Sequence, residues 1–504
     1  MASTSHLAQT RSAKGSAKES HDATRRPLFP FDNSYARLPE RFYAPIAAQP
    51  VKAPRLIRLN HALAEELGLD PDALDTDEGA AIFAGNVFPE GAQPIALAYA
   101  GHQFGGYSPR LGDGRALLLG EVIDRAGRRL DIQLKGSGPT PFSRGGDGRS
   151  ALGPVLREYV VSEAMHALGM PTTRALAAVA TGEDVARETL LPGGVLTRVA
   201  SSHIRIGTFQ YFAAAGDGEG VRILADYVIE RHYLELRGVA DPYLRLFEAV
   251  RDAQARLVAR WMAVGFIHGV MNTDNIAISG ETIDYGPCAF MDAFDPATVF
   301  SAIDEFGRYA YANQPRIAPW NLARFAETLV PLVDDDAVRA IARLGEALAA
   351  FPDLFRGFWL GEMRAKLGLA RAEPEDDALV EGLLAAMHEG EADYTLVFRA
   401  LSRAVDSGAN DAAVAALFKS PEGFESWSGR WRARLARETR SPHEAGVAMR
   451  RANPAFIPRN HLVEQMIEAA VERDDFEMFD EMLVVLSRPF RDQPLFTRYA
   501  QPPR

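Results

Sequence analysis

Hydrophobic and polar positions alternate most cleanly between residues 116 and 135. ALLLGEVI is an apolar run, and in LDIQLK the side chains of Leu130, Ile132 and Leu134 point one way while Asp131, Gln133 and Lys135 point the other. That period of two is the strand period. DRAGRR joins the runs and Gly127 suits a turn, so the stretch predicts an antiparallel hairpin with one polar face. Near 150 the period changes. SALGPVLREYVVSEAMHALGM predicts a helix from about Pro154 to Leu168, with proline in its first turn and Gly169 as its stop. ETLLPGGVLTRVA (188–200) reads as strand, turn, strand. Upstream, LIRLNHALAEELGL (56–69) spaces Leu56, Leu59, Leu63 and Leu67 as a helix would, stopped at Gly68. Beyond about 220 the chain is mostly helical. Residues 242–266 set Phe247, Val250, Leu257, Val258 and Trp261 near one face, and 303–350, 376–405 and 460–487 follow the same period. A strand-rich first part thus meets a helical second part near 210–220.

Composition narrows the class of protein. With 504 residues, 47% of them hydrophobic, the chain can build a sizeable core. Its formal charge, 55 − 67 = −12, argues against nucleic acid and anionic membrane as partners, since both need a basic footprint. The single cysteine, Cys288, excludes an intrachain disulfide and a cysteine-based zinc site. No stretch approaches the roughly 20 apolar residues of a membrane helix. The opening MASTSHLAQTRSAKGSAKESHDATRRP has no apolar signal core. Residues 1–28 read as a polar tail, and a cytoplasmic protein of bacterial type is expected.

The chemistry concentrates in GFIHGVMNTDNIAISGETIDYGP (265–287). Kinase-like enzymes set a His, a loop ending in Asn, a hairpin, and then Asp-aromatic-Gly. Asn275 stands seven residues after His268, IAI and TI flank the turn SGE, and Asp284-Tyr285-Gly286 closes the run. In such enzymes the Asn amide oxygen and the Asp carboxylate clamp a metal that bridges nucleotide phosphates. The position of the usual catalytic Asp, two residues after the His, is Val270, which accepts no proton. Asp274 is the loop's own carboxylate, so either it serves as base or no base is used. Lys135, on the polar side of its strand, matches the phosphate-contacting lysine of kinases, with Glu158 or Glu163 as its helix partner. GGYSPRLGDGR (105–115) and SRGGDGR (143–149) repeat the tetrapeptide GDGR on both sides of that strand. Glycines admit close backbone approach to phosphates and arginines bind them bidentately, although either loop alone is equally a pair of turns. Arg198 and Arg205, in LTRVASSHIRIGTF (196–209), lie in apolar surroundings and are candidates to meet an anion. GHQFGG (101–106) is distinctive but names no mechanism.

Taken together, AYAGHQFGGYSPRLGDGRALLLGEV (98–122), DIQLKGSGPTPFSRGGDGRSALGPVLREYVVSEAMHALGMPTTRALA (131–177), LTRVASSHIRIGTFQ (196–210), HGVMNTDN (268–275), IDYGPCAFMD (283–292) and NPAFIPRNHLVEQMIEAA (453–470) resemble the selenoprotein O, or YdiU, family. The resemblance implies an α+β, protein-kinase-like two-lobed fold: a strand-containing N-lobe with an N-terminal extension over 29–215, and a helical C-lobe over 216–504 with a C-terminal helical extension. It implies transfer of AMP from ATP, bound in inverted orientation, to Ser, Thr or Tyr hydroxyls of proteins, with UTP as an alternative donor. Carried over by residue, Lys135 contacts phosphate and pairs with Glu158. Gly112, Gly114, Arg115, Asp147, Gly148, Arg198 and Arg205 line the nucleotide pocket. Asn275 and Asp284 hold Mg2+ or Mn2+, and Asp274 is the proton acceptor. Many members carry a C-terminal cysteine or selenocysteine, whereas this chain ends RYAQPPR, so thiol control of that type is not expected.

Overall fold

The computed structural model describes residues 28–406 and 410–503; apart from Leu28, the expected polar tail lies outside the described residues. The strands are β1 (Tyr43–Pro45), β2 (Arg55–Leu59), β3 (Ile95–Leu97), β4 (Gly101–Gln103), β5 (Gly106–Ser108), β6 (Ala116–Ile123), β7 (Arg129–Lys135), β8 (Ser150–Ala151), β9 (Arg174–Ala186), β10 (Leu190–Ala200), β11 (Phe266–Ile267) and β12 (Ala289–Phe290). Eight of them form one antiparallel sheet in the order β1-β3-β6-β7-β10-β9-β2, with β8 paired to β10. The predicted hairpin is β6–β7, closed where Gly127 (φ +81°) donates its N–H to Asp124 O.

The alternation in β7 sorts its side chains between two environments. Ile132 and Leu134 join Leu117 and Leu119 against the short helices His61–Glu66 and Asp77–Ala84, through Leu63, Ile82 and Phe83. The opposite face carries the helix Leu152–Ala167, whose Leu156, Tyr159 and Val160 pack on Ala175, Ala178 and Leu196. Asp131 and Gln133 on this side are 2% and 0% exposed. The expected polar face is therefore a buried floor, because the helical part of the chain covers it.

Two local expectations need correction. The stretch 56–69 is not one helix. Arg55–Leu59 pairs along β9, and Asn60 then caps the helix His61–Glu66 by accepting the Leu63 N–H at 3.1 Å; sheet pairing outweighs the spacing of the leucines. Within 188–200 there is no central turn. Pro192-Gly193-Gly194 is a bulge inside β10, and the turn falls at Arg187–Thr189. A side chain at Gly194 would press on Leu152 and Val155 at 3.2 Å, so the glycine lets the helix start close against the sheet.

The helical part centres on Pro242–Val264, whose Phe247, Val250, Leu257, Val258 and Trp261 are at most 1% exposed. Each such side chain contributes about 1.5–3 kcal/mol by leaving water. The helix ends at Gly265 (φ +73°) and runs into β11, which pairs with β12 and so closes the base of the 268–288 loop. Inside that loop the two apolar runs expected to pair with each other pair elsewhere. Ala277 bridges to Arg205 and Thr282 to Thr172, with Ile278 N–H on Ile204 O and Thr282 N–H on Pro171 O, both at 3.0 Å. The stretches 303–350, 376–405 and 460–487, read as helical, are each divided at an acidic residue. Asp336 caps Ala337–Ala349 after Gln314–Val333, and Asp393 caps Tyr394–Ala404 after Asp376–Glu389. Asp474, with φ +52°, separates Asn460–Arg473 from Glu477–Leu486. Residues 303–313 are not α-helical. The last two helices return to the first part of the chain, where Met466, Phe479 and Met482 pack beside Tyr159.

Lys366 sits at the end of the helix Phe351–Leu367, 3% exposed, with Nζ 4.2 Å from the Phe398 ring centroid. Burial pulls its ammonium from 10.5 down to about 7. Below that pH the folded chain holds a desolvated charge that the unfolded chain keeps in water; above it the folded chain releases the proton first, so stability rises with pH. Lys366→Met is therefore expected to stabilise the protein at pH 6 by roughly 2–3 kcal/mol, the desolvation cost less what the ring face returns. The gain should shrink steadily towards pH 10. Urea unfolding at pH 6, 8 and 10 measures it, and a difference that does not vary with pH would refute the assignment.

Candidate functional site

A cleft of about 640 Å³ opens between the sheet and the 268–288 loop. At its inner end three cations converge on one carboxylate. Lys135 Nζ, at the end of β7, lies 2.7 Å from Asp284 Oδ1; Arg198 Nη1, on the adjacent β10, lies 2.7 Å from the same oxygen; Arg205 Nη1 lies 2.8 Å from Oδ2. The strand register explains the first two, because Arg198 stands opposite Gln133 and Leu196 opposite Lys135. Burial pushes the Asp284 carboxyl up, but Arg198, Lys135 and Arg205 outweigh it and hold the group well below its usual range. Asp284 has φ +62°, a costly backbone for a non-glycine residue, which the three ion pairs support.

Glu158, on the helix behind, pairs with Lys135 at 2.6 Å and with Arg198 at 3.1 Å. Glu163, the other candidate partner, is engaged by Arg174 instead. Gln133 Oε1 accepts from Arg198 Nη2 at 2.6 Å, and Gln133 Nε2 donates to Asp113 Oδ2 at 3.3 Å. Lys135, Arg198 and Arg205 thus share the carboxylates of Asp284 and Glu158 at this end.

Asp274 faces the same cleft. Its carboxyl is buried and pushed up to about 6 by desolvation, with Arg205 pulling the other way. Gln103 Nε2 donates to Oδ2 at 3.2 Å, whereas Oδ1 is buried with no hydrogen-bond partner. Arg205 Nη1 also donates to the Asp274 carbonyl at 2.7 Å. Beside it, Asn275 Nδ2 donates to the Val270 carbonyl at 3.0 Å, which sets the amide's oxygen as the end left for a ligand. His268 underlies the loop, buried, with Nε2 2.9 Å from Ile283 O.

The Asn275 oxygen and the Asp284 carboxylate are hard donors of the kind Mg2+ and Mn2+ take. Among the described residues no three His, Cys, Asp or Glu side chains gather as a metal cage. Asn275 and Asp284 are therefore the side chains that could hold such a cation, the Asp284 oxygens now being engaged by Lys135, Arg198 and Arg205.

The cleft brings together Gly112, Gly114, Arg115, Lys135, Asp147, Gly148, Arg198, Arg205, Asp274, Asn275 and Asp284. The two GDGR segments are not equivalent. Asp113 is buried and accepts the Leu97 N–H at 3.1 Å, and burial lifts its carboxyl to about 6. Asp147 lies exposed at the rim, held by Arg187 at 2.8 Å. Sequence reasoning missed Gln103, Asp113, Gln133 and Arg187. Gln133 was signalled by its place beside Lys135 on the polar side of β7, and Asp113 by the repeat itself. Cys288 is buried beyond the loop, its thiol pushed up to about 12 by burial.

Among the described residues no helix is long and apolar enough to cross a membrane. A family model described as Protein adenylyltransferase SelO matches residues 28–487. A protein of Rhizobium rhizogenes named Protein nucleotidyltransferase YdiU is 63% identical over 478 residues, covering 95% of each chain. Proteins of the same name from Rhizobium meliloti and from Rhodopseudomonas palustris strain HaA2 are 62% and 61% identical, each alignment covering 94% of this chain and 97% of the relative. The chain therefore belongs to the SelO family of protein nucleotidyltransferases.

Proposed function

We propose that this protein is an adenylyltransferase of kinase-like architecture that moves AMP from ATP to a Ser, Thr or Tyr hydroxyl of another protein. The observation that carries the reading is that a cluster of cations and a candidate base line one cleft. Lys135, Arg198 and Arg205 converge at the inner end of the cleft, and Asp274, whose carboxyl burial pushes up to about 6, lines the same cleft. In the reaction the acceptor oxygen attacks the α-phosphorus, its proton passes to the Asp274 carboxylate, and the bond from the α-phosphorus to the bridging oxygen breaks. Pyrophosphate leaves carrying the negative charge, and preorganised cations that meet charge as it develops are the strongest lever an active site has. ATP lies inverted relative to a kinase, with its β- and γ-phosphates on the three cations. Val270, in place of the usual kinase base, fits a chemistry that uses Asp274 instead.

Asn275 and Asp284 are the residues that would hold Mg2+ or Mn2+, which when bound neutralises phosphate charge and polarises the reacting phosphorus. Gly112, Gly114 and Gly148 line the walls of the cleft, and Arg115 and Asp147 its mouth. UTP, with the same triphosphate, is a second donor. Incubation with a hydroxyl-bearing acceptor protein, Mg2+ or Mn2+, and ATP labelled at either the α- or the γ-phosphate tests the reading. Label is expected on protein from the α-position alone. Label from the γ-position alone would mean ordinary phosphotransfer, and none from either, across acceptors, would mean a nucleotide-binding scaffold.

A further inference from the structure

The run GHQFGG folds into the β4–β5 hairpin and lies directly against the loop that carries Asp274. Three consecutive hairpin residues hold three consecutive loop residues. The His102 N–H donates to Thr273 Oγ1 at 2.7 Å, Gln103 Nε2 to Asp274 Oδ2 at 3.2 Å, and the Phe104 N–H to Asn272 Oδ1 at 3.1 Å. The grip is braced from both sides. Thr273 Oγ1 donates to Gln210 Oε1 at 2.6 Å, and Tyr309 Oη donates to Asn272 Oδ1 at 2.7 Å, with the Phe104 ring packed on Tyr309.

The hairpin also shapes the space around the carboxylate. A Cβ at Gly101 would stand 2.5 Å from Asp274 Oδ1 and 2.9 Å from its Cβ. Only the absence of a side chain there lets the carboxylate occupy its place. The two oxygens of Asp274 are consequently unequal: Oδ2 is tied to Gln103, and Oδ1 is buried without a partner.

We propose that Gln103 is the positioning residue for the Asp274 base, its amide holding Oδ2 while Gly101 leaves room for the buried Oδ1, so that the carboxylate keeps one orientation at the cleft. The inference rests on the reading of Asp274 as base. A carboxylate tied at one oxygen cannot swing about its terminal bond, and holding a reacting group in register is worth a large part of a barrier. The cations that meet the phosphates sit on β7, on β10 and at Arg205, so the hairpin acts on the base and not on nucleotide affinity.

Steady-state transfer from α-labelled ATP is measured for the parent, Gln103→Ala, Gln103→Glu, Gly101→Ala and Asp274→Asn, with ATP affinity of each by titration calorimetry. Gln103→Ala is expected to lower kcat about tenfold, the weight of one hydrogen bond to a charged group, with KM for ATP and affinity within about twofold. Gln103→Glu should lose more, since it replaces a donor with a like charge, and Gly101→Ala should lose at least as much as Gln103→Ala. An unchanged kcat in Gln103→Ala beside an inactive Asp274→Asn overturns this inference and leaves the base reading standing. A loss of ATP affinity in step with kcat also overturns it, because that is general damage to the fold. A fully active Asp274→Asn defeats the base reading, and this inference with it.

Discussion

Asp284→Ala is expected to lower AMP transfer by about 10³ or more. Two effects combine. The variant lacks the carboxylate that would hold the divalent cation with Asn275. It also leaves Lys135 Nζ, Arg198 Nη1 and Arg205 Nη1, now within 2.8 Å of Asp284 oxygens, with Glu158 as the cluster's remaining carboxylate. Removing one partner of a buried ion cluster costs about 3–5 kcal/mol, because the other charges stay buried. The variant should therefore melt earlier than the parent without nucleotide. ATP supplies the missing negative charge, so metal-free ATP should bind the variant at least as tightly as the parent and recover much of the lost melting temperature. Transfer assays, thermal melts and calorimetry in EDTA give all three readings. Transfer within tenfold of the parent would sink the role of Asp284.

Much of this cleft was legible in the sequence because its parts are local. The spacing from His268 to Asn275 and Asp284 depends on one loop, and the side of β7 that presents Lys135 depends on the strand period. Glu158 against Glu163 could not be decided by spacing alone, since both lie on one helix; the fold decides it by turning Glu163 to Arg174. What was hidden is long-range. Gln103 and Asp274 are 171 residues apart, and no periodicity in either segment reports that a hairpin will lie on a loop. The polar side of β7 was legible as polar but not as buried, because alternation reports two faces and not what covers them. The 56–69 error has a similar origin. Leucines at helical spacing straddle Asn60, and the pairing of β2 with β9, more than a hundred residues on, takes the first half into the sheet. The apolar runs after Asn275 were placed correctly along the chain but given the wrong partners, because Arg205 and Thr172 reach them from other elements.

Asp274→Asn is expected to lower kcat for transfer by about 10²–10⁴, the usual weight of a positioned general base, with ATP affinity nearly unchanged. The substitution keeps shape and an oxygen acceptor but removes basicity, and the three cations that meet the triphosphate remain paired with Asp284. Asp274 suits the task by its surroundings. Burial lifts its carboxyl to about 6, against the pull of Arg205, so it is ionised at neutral pH yet holds a proton better than a solvated aspartate. The sign of the pH dependence follows. Below about 6 the carboxyl is protonated and accepts nothing, so transfer by the parent should fall as pH drops through that range, and a bound divalent cation draws the limb lower still. In Asp274→Asn the residual rate should not show this limb. A variant with parental kcat, or one that keeps the same acid limb, would mean that the proton leaves the acceptor hydroxyl by another route.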